Sequence, residues 1–180
     1  MPQQYTVKEF YEENAEELDL EALTDNLDSP IPITSEDIHR PAFALTGFME
    51  NFLHKRIQFI GETEILYIGS IDEGMVREAV ERLFSEALPC IIVSKGLDVP
   101  RQLLDMANEK GIPVLRTTRQ TTEFIHALTG LLELIFAPRT MIHGSLVDVY
   151  GVGLLFSGRS AIGKSEIALD LVERGHRLVA

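Results

Sequence analysis

Residues 152–175 read VGLLFSGRSAIGKSEIALDLVERG: an apolar run, a glycine-rich segment and then a helical pattern. The run at 152–156 is short and apolar and is followed closely by glycine, which predicts a β-strand. Over 163–174 the apolar residues fall on one side of a helix, and Gly175 provides the stop signal. The sequence therefore predicts a strand, a loop and a helix in direct succession.

The loop between strand and helix matches the spacing G-x-x-x-x-G-K-[ST], which is typical of phosphate-binding loops. Its glycines let the backbone curl until several N–H groups converge on phosphate oxygens, and the following helix N-terminus favours anions. The lysine can reach the β- and γ-phosphates, and the last hydroxyl can bind Mg²⁺. Chance alone produces this spacing in on the order of 1% of chains of this length. The predicted nucleotide-binding residues are Gly158, Arg159, Ser160, Ala161, Ile162, Gly163, Lys164 and Ser165, with Ser165 also the metal ligand.

The residues around this segment predict two domains. Strands are expected at 140–150, at 152–156 and at 176–180, on either side of the loop and its helix. Ala137-Pro138-Arg139 ends a long apolar helix expected at 121–136, and it is typical of a domain boundary. We therefore assign residues 1–136 to an N-terminal domain and residues 137–180 to the beginning of a P-loop domain.

In the N-terminal domain, helical and strand patterns alternate. Residues 38–48 are turn-like and then apolar, and a Pro-containing loop is expected at 28–34. The alternation predicts an α/β fold with a mixed or partly parallel sheet. Helices are expected at 6–13, 72–86, 100–110 and 121–136, and strands at 56–61, 89–93 and 112–116.

Composition excludes several classes of protein. The net charge of -12 argues against a nucleic-acid binder that neutralises phosphates. No apolar run reaches the ~20 residues that cross a bilayer, and the N-terminus lacks the pattern of a signal peptide. With one cysteine no internal disulfide can form, so a cytoplasmic location is expected. The acidic stretch at 9–37 is expected to be a solvated helix face and loop rather than a docking surface.

A resemblance to a known family covers most of the chain and is densest over 143–180. It is carried by HGSLVDVYGVG at 143–153, by Ser165-Glu166 and by ALDLVERGHRLVA at 168–180. Upstream it continues in Arg40-Pro41 with Leu45 and Gly47, in HKRIQ at 54–58 and in GETE at 61–64. On these residues the chain resembles the HPr kinase/phosphorylase family, bacterial regulators of carbon catabolism.

The resemblance implies a specific reaction. The family uses ATP or pyrophosphate, with Mg²⁺, to phosphorylate a serine of the small phosphocarrier protein HPr. It also removes that phosphate with inorganic phosphate and releases pyrophosphate. A homo-hexamer, assembled mainly through the catalytic domains, is implied as well, with a regulatory or assembly role for the N-terminal domain.

By position, the resemblance places His143 and Lys164 in the active site. Arg159 stands where the family often has an acidic or small residue, which leaves the motif intact but alters the local charge. The family's general base, one of two adjacent aspartates, would directly follow the segment that matches 178–180. We therefore expect the 180-residue chain by itself, cut short within the catalytic domain, to lack HPr kinase activity.

Other interpretations stay open at this point. Without the resemblance, His143 is more readily a structural histidine, and the loop alone fits a phosphotransferase acting on a small molecule. The chain as printed also fits a non-catalytic binding or assembly module. Cys90, in an apolar strand pattern, is expected to be a buried and inert thiol. The five histidines are too scattered to predict a zinc site.

Overall fold

The computed structural model of the protein describes residues 5–29 and 31–180.

The first helix starts at a capping box. Thr6 Oγ1 accepts a hydrogen bond from the Glu9 backbone N–H at 3.1 Å, and the Glu9 carboxylate accepts one from the Thr6 N–H at 3.0 Å. The helix ends at Asp19, which has a left-handed φ of 54°. It is longer than the predicted 6–13 because Asn14 and Leu18 continue its buried face.

The chain divides into two compact units, Met1–Ala137 and Pro138–Ala180. The first contains α1 (Val7–Leu18), β1 (Leu20–Ala22), β2 (Ile38–His39), α2 (Ala42–Thr46), β3 (Ile57–Ile60), α3 (Glu62–Ser70), α4 (Glu73–Leu83), β4 (Ile91–Val93), α5 (Arg101–Lys110), β5 (Val114–Thr117) and α6 (Thr121–Phe136). The second contains β6 (Gly144–Val149), β7 (Val152–Ser157), α7 (Lys164–Glu173) and β8 (Arg177–Leu178).

The first unit is built on a five-stranded sheet in the order β1-β5-β4-β3-β2. Strands β2 to β5 run parallel to one another, and β1 joins β5 antiparallel at the edge. Phe59, Ile92 and Leu115 lie side by side across the three central strands. The predicted α/β fold with a mixed, partly parallel sheet is confirmed.

Helices cover both faces of this sheet. On one face α4 and α5 pack against the sheet, and the residues predicted to point inward from the 72–86 segment are buried: Val76, Val80, Leu83, Phe84 and Leu88. On the other face lie α1 and α6, where Phe59 stacks on Phe124 with ring centroids 5.7 Å apart. Burial on both faces makes β3 buried throughout, although its sequence alternates.

Four short elements were not predicted: β1, β2, α2 and α3. The strand β1 lies in the acidic stretch, where sequence predicted a helix face and a loop. It pairs as a strand because β5 offers an edge, and Glu21 forms a 2.7 Å ion pair with Arg116 across that pairing. β2 and α2 together occupy the segment interpreted as turn-like and then apolar. β1, β2 and α2 have two to five residues each, too few to show a period. Helix α3 has nine residues, but its apolar residues at 65–68 are consecutive and so show no helical spacing.

The second unit is a three-stranded antiparallel sheet, in the order β7-β6-β8, with α7 against it. Its hairpin closes through Tyr150 and Gly151, whose φ values are 53° and 82°, as a type I′ turn requires. The strand expected at 140–150 is shorter and begins only at Gly144. That expectation was wrong because β7 ends at Ser157, the partner of Gly144, which leaves 140–143 without a strand to pair with.

Within residues 5–29 and 31–180, no helix is both long enough and apolar enough to cross a membrane. The same residues contain no group of three or more His, Cys, Asp or Glu side chains arranged to hold a metal ion.

Candidate phosphate-binding site

The glycine-rich loop joins the end of β7 to the start of α7. Gly158 and Gly163 have φ values of 151° and 95°, and Ala161 also adopts a positive φ of 63°. Glycine reaches such values without a Cβ clash, whereas for Ala161 the left-handed conformation is uncommon. The backbone thus curls twice within six residues, and that curl turns a strand into a helix around a concave loop.

Lys164 holds the two ends of this loop together. It is the first residue of α7, and its Nζ donates to the carbonyl oxygens of Gly158 at 3.0 Å and Arg159 at 2.7 Å. The ammonium group therefore lies inside the curl of the loop. A cation in that position can meet an anion that the loop amides surround.

The start of α7 is suited to an anion. Its N-cap is Gly163, whose missing side chain leaves the first-turn N–H groups without a side-chain cap. The exposed N–H groups and the helix dipole give this end a partial positive charge. The loop and the first turn enclose a cavity of about 480 Å³ lined by Ser160, Ala161, Ile162, Gly163, Lys164, Ser165 and Glu166.

Two members of this cavity can meet a metal ion. Ser165 is the second residue of α7, so its hydroxyl lies beside the ammonium-bearing residue of the loop. Glu166 lines the same cavity, although the sequence analysis assigned it no role. The sequence feature that could have indicated Glu166 is its position directly after the motif. A hydroxyl and a neighbouring carboxylate both supply the oxygen ligands that Mg²⁺ prefers.

Pairing between β6 and β7 brings His143 to the same end of the small sheet. Gly144 pairs with Ser157, and these residues directly adjoin His143 and Gly158. His143 is exposed, so its imidazole is accessible to a ligand. Strand pairing therefore puts His143 at the end of the sheet where the loop begins, although His143 is not among the residues that line the loop cavity. The roles of His143 and of the loop residues in binding and catalysis stay predictions.

A bulkier residue at position 144 would disturb this arrangement. A Cβ there would lie 2.6 Å from the Phe156 carbonyl oxygen and 3.0 Å from Leu155 Cδ1, closer than real Cβ atoms come. Gly144 thus lets β6 approach β7 at the point where the loop begins.

Arg159 is exposed, and in the described part of the chain its side chain forms no ion pair. Its carbonyl, rather than its guanidinium, takes part in the loop through Lys164. The positive charge of Arg159, where the family often has an acidic or small residue, is therefore exposed to solvent.

Cys90 belongs to the first unit, directly before β4. It is fully buried, and burial raises the pKa of its thiol to about 12. A thiol with that pKa is protonated at neutral pH and is a poor nucleophile. The predicted burial of Cys90 is confirmed, and its raised pKa agrees with an inert thiol.

Comparison with known proteins agrees with this architecture in both units. The family described as HPr Serine kinase N terminus matches residues 5–132, and the HPr Serine kinase C-terminal domain matches residues 134–180. HPr kinase/phosphorylase 1 of Oceanobacillus iheyensis is 47% identical over 148 residues, which are 82% of this chain and 48% of that protein. HPr kinase/phosphorylase of a Thermoanaerobacter species is 41% identical over 164 residues, 91% of this chain and 54% of that protein.

Among solved structures, the CBS and DRTGG domains of a Clostridium perfringens pyrophosphatase superpose with a TM-score of 0.48. They share 12% sequence identity, and the match covers 73% of this chain and 51% of that one.

The family descriptions and the names of these relatives all denote kinases. The chain belongs to the HPr serine kinase family, since the N-terminal family match alone covers more than half of its residues. It spans about half the length of the curated relatives that it matches. The resemblance found from the sequence is confirmed.

Proposed function

We propose that the protein is a serine kinase and phosphorylase that acts on the phosphocarrier protein HPr, in carbon catabolite regulation. The observation that carries the proposal is the curled loop with Lys164 inside it, in a chain of the HPr serine kinase family. The phosphoryl donor is ATP or pyrophosphate, together with Mg²⁺.

The residues of the loop have separate roles in this proposal. The backbone from Gly158 to Gly163 and the start of α7 surround the phosphates, and the Lys164 ammonium leaves its two carbonyl acceptors to meet them. Ser165 holds Mg²⁺. When bound, the metal supplies charge neutralisation on the transferred group.

His143 acts near the transferred phosphate in this proposal. Its support is the register of β6 and β7, which places the histidine beside the start of the loop. An imidazole there can hydrogen-bond a phosphate oxygen or carry a proton.

The proposal extends to the cell and the assembly. We propose a cytoplasmic enzyme that forms a homo-oligomer, a hexamer as in the family, and does not act on nucleic acid or at a membrane. Kinase action on another acceptor, or a purely binding role, is less well supported, because both family matches and the relatives' names point to HPr.

The proposal is tested by a transfer assay on the whole protein, at the length of its relatives, with HPr, Mg²⁺ and labelled ATP. We expect label on HPr, and a loss of at least about 10³-fold in Lys164→Ala, because a cation on the transferring phosphate is worth several kcal/mol of barrier. Lys110→Ala, at an exposed lysine of α5, is the control and keeps full activity.

Two results would contradict the proposal. Turnover of Lys164→Ala close to that of the unmodified enzyme would show that this loop does not bind the transferred phosphate. Label on a small acceptor but never on HPr would assign the enzyme to another phosphotransferase reaction.

A further inference from the structure

A second cavity lies in the first unit, at the carboxyl end of β2. It encloses about 450 Å³, and its lining includes His39, Arg40, Phe43, Phe48, Asn51 and Phe52. Pockets for small ligands have volumes of about 300–1,000 Å³ and are mostly apolar with a few polar groups. The proposed phosphoryl transfer uses none of these residues.

The position of this cavity is set by strand β2. His39 is the last residue of β2, which runs parallel to β3, and Arg40 follows it directly. The cavity therefore lies at the carboxyl end of an edge strand, next to the loop that leads into α2.

Aromatic rings form the walls. Phe43 and Phe48 meet edge to face with ring centroids 6.3 Å apart, and His39 and Phe52 are tilted at 5.8 Å. Phe43 is 73% exposed and Phe48 is 48% exposed, which is unusual for two neighbouring phenylalanines. A planar ring placed against them would remove this apolar surface from water.

The imidazole of His39 adds to the wall as a neutral ring. Partial burial, and to a lesser degree the nearby charge of Arg56, hold the pKa of His39 below its usual range. At neutral pH it therefore presents a flat, uncharged surface.

Arg40 provides the polar end. Its Nη2 donates to the Glu64 carboxylate at 2.9 Å, and that carboxylate is buried and also accepts the Gly61 N–H at 2.9 Å. The Arg40 side chain is 44% exposed, and within the described residues its Nε and Nη1 donate to no protein group. Glu64 thus anchors the guanidinium through Nη2 and leaves the Nε and Nη1 N–H groups, on two different edges, to donate charge-assisted hydrogen bonds to an anion.

We propose that this pocket binds a small planar aromatic anion, with its ring against the phenylalanine and imidazole walls and its anionic group on Arg40. The volume admits one or two fused rings and their anionic group but is too small for a helix or an extended peptide. This site is independent of the phosphate-binding loop.

The absence of tryptophan from the chain makes a direct test possible, since an indole probe excited beyond the absorption of tyrosine fluoresces without a protein background. Indole-3-acetate is titrated with the 180-residue chain and followed by fluorescence polarisation, beside indole, which lacks the anion, and acetate as a competitor, which lacks the ring. Phenyl phosphate as a second competitor distinguishes a phosphate ligand from a carboxylate ligand. We expect saturable binding of indole-3-acetate at millimolar or lower concentration, much weaker binding of indole, and poor competition by acetate.

Variants locate the binding. Arg40→Gln should weaken it about tenfold or more, because a charge-assisted hydrogen bond is lost, and Arg40→Lys should weaken it less. Phe43→Ala should weaken it about threefold to tenfold. Leu134→Ala, which removes an equally exposed apolar side chain (72%) from α6, should leave it unchanged.

Three results would overturn the proposal: no saturable binding, equal affinity for indole and indole-3-acetate, or binding that Arg40→Gln and Phe43→Ala leave intact while thermal melts show both variants folded. Self-association of the chain that Phe43→Ala abolishes would assign this surface to a second copy and would also overturn it.

Discussion

At Gly144, strand β6 approaches strand β7 so closely that there is no room for a side chain. Gly144→Ala should destabilise the second unit by about 1–3 kcal/mol, because the added Cβ meets a backbone carbonyl at 2.6 Å, and backbone cannot easily move aside. Amide hydrogen exchange of β6 and β7 should become at least about fivefold faster.

Gly153→Ala in the paired strand is the matched control. There the nearest atom to an added Cβ is Leu146 Cδ1 at 3.7 Å, an ordinary contact, so exchange should change little. Equal effects of the two substitutions on amide exchange would show that the close approach at Gly144 does not determine the stability of β6 and β7.

Cys90 links the stability of the first unit to pH. The folded thiol has a pKa of about 12, whereas an unfolded cysteine has a pKa of about 8.5. Between these values the unfolded chain has released a proton that the folded chain keeps. The free energy of unfolding should therefore fall as pH rises above about 9, by up to about 1.4 kcal/mol per pH unit from this residue.

Urea unfolding at a series of pH values from neutral to alkaline measures this slope. Cys90→Ala should be less stable at neutral pH because a buried side chain is shortened, but its stability should fall less steeply with pH. Identical slopes in the two proteins would mean that the thiol does not carry this dependence. Tyr5, whose pKa is also raised to about 12, chiefly by burial, contributes equally to both.

At the scale of elements, the start of α3 depends on one buried carboxylate. Glu64 accepts from the backbone N–H of Gly61 at the end of β3 and from Arg40 after β2, so it joins two strands to a helix. Glu64→Ala should lower the stability of the first unit by about 1–3 kcal/mol, because a buried N–H and a guanidinium each lose their acceptor.

Glu62→Ala, two residues earlier in the same first turn, is the control for helix-dipole effects. Its carboxylate is exposed and pairs with Lys95 at the surface, so the melting temperature should barely change. Thermal melts of both variants test this prediction. An unchanged melting temperature in Glu64→Ala would show that the carboxylate does not stabilise the start of α3.

Long amphipathic elements were predictable, and short ones were not. Helix α6 spans Thr121–Phe136 as predicted, since sixteen residues show their period clearly. Helix α4 ends at Leu83, before the predicted 86, although Leu88 is buried beyond it. A buried side chain in a following loop cannot be distinguished by sequence from one more helical turn.

Across the whole molecule, burial is distributed unevenly. Among the described residues, Val147 and Ala168 are the only buried apolar side chains of the second unit, while the first unit has two extensive cores. The second unit exposes apolar side chains on both its sheet and its helix, among them Val152, Leu155, Ile167 and Leu169. Stability follows buried apolar area, so the two units should differ in resistance to unfolding.

Limited proteolysis of the 180-residue chain should therefore cut within 138–180 first and leave a stable product that ends near Ala137. Mass spectrometry identifies the product, and its melting temperature should match the main transition of the intact chain. Equal resistance of both units, or first cuts within α4 or α5, would contradict this expectation.

The sequence by itself determined those features that depend on local spacing. The loop from Gly158 to Ser165 was predictable because its motif is contiguous in sequence. The long helices and the α/β class were predictable from hydrophobic periodicity, which is also a local property of the sequence.

Only the tertiary structure decided how distant residues meet. The edge strand β1, the start of β6 at Gly144 and the contact of Arg40 with Glu64 each join residues that are 13 to 97 positions apart in sequence. Such pairings depend on which strand edge is free to pair and on how closely two backbones can approach each other. Both depend on how the whole sheet packs. A periodic pattern describes one element at a time, so it does not say which strand edges or side chains will pair.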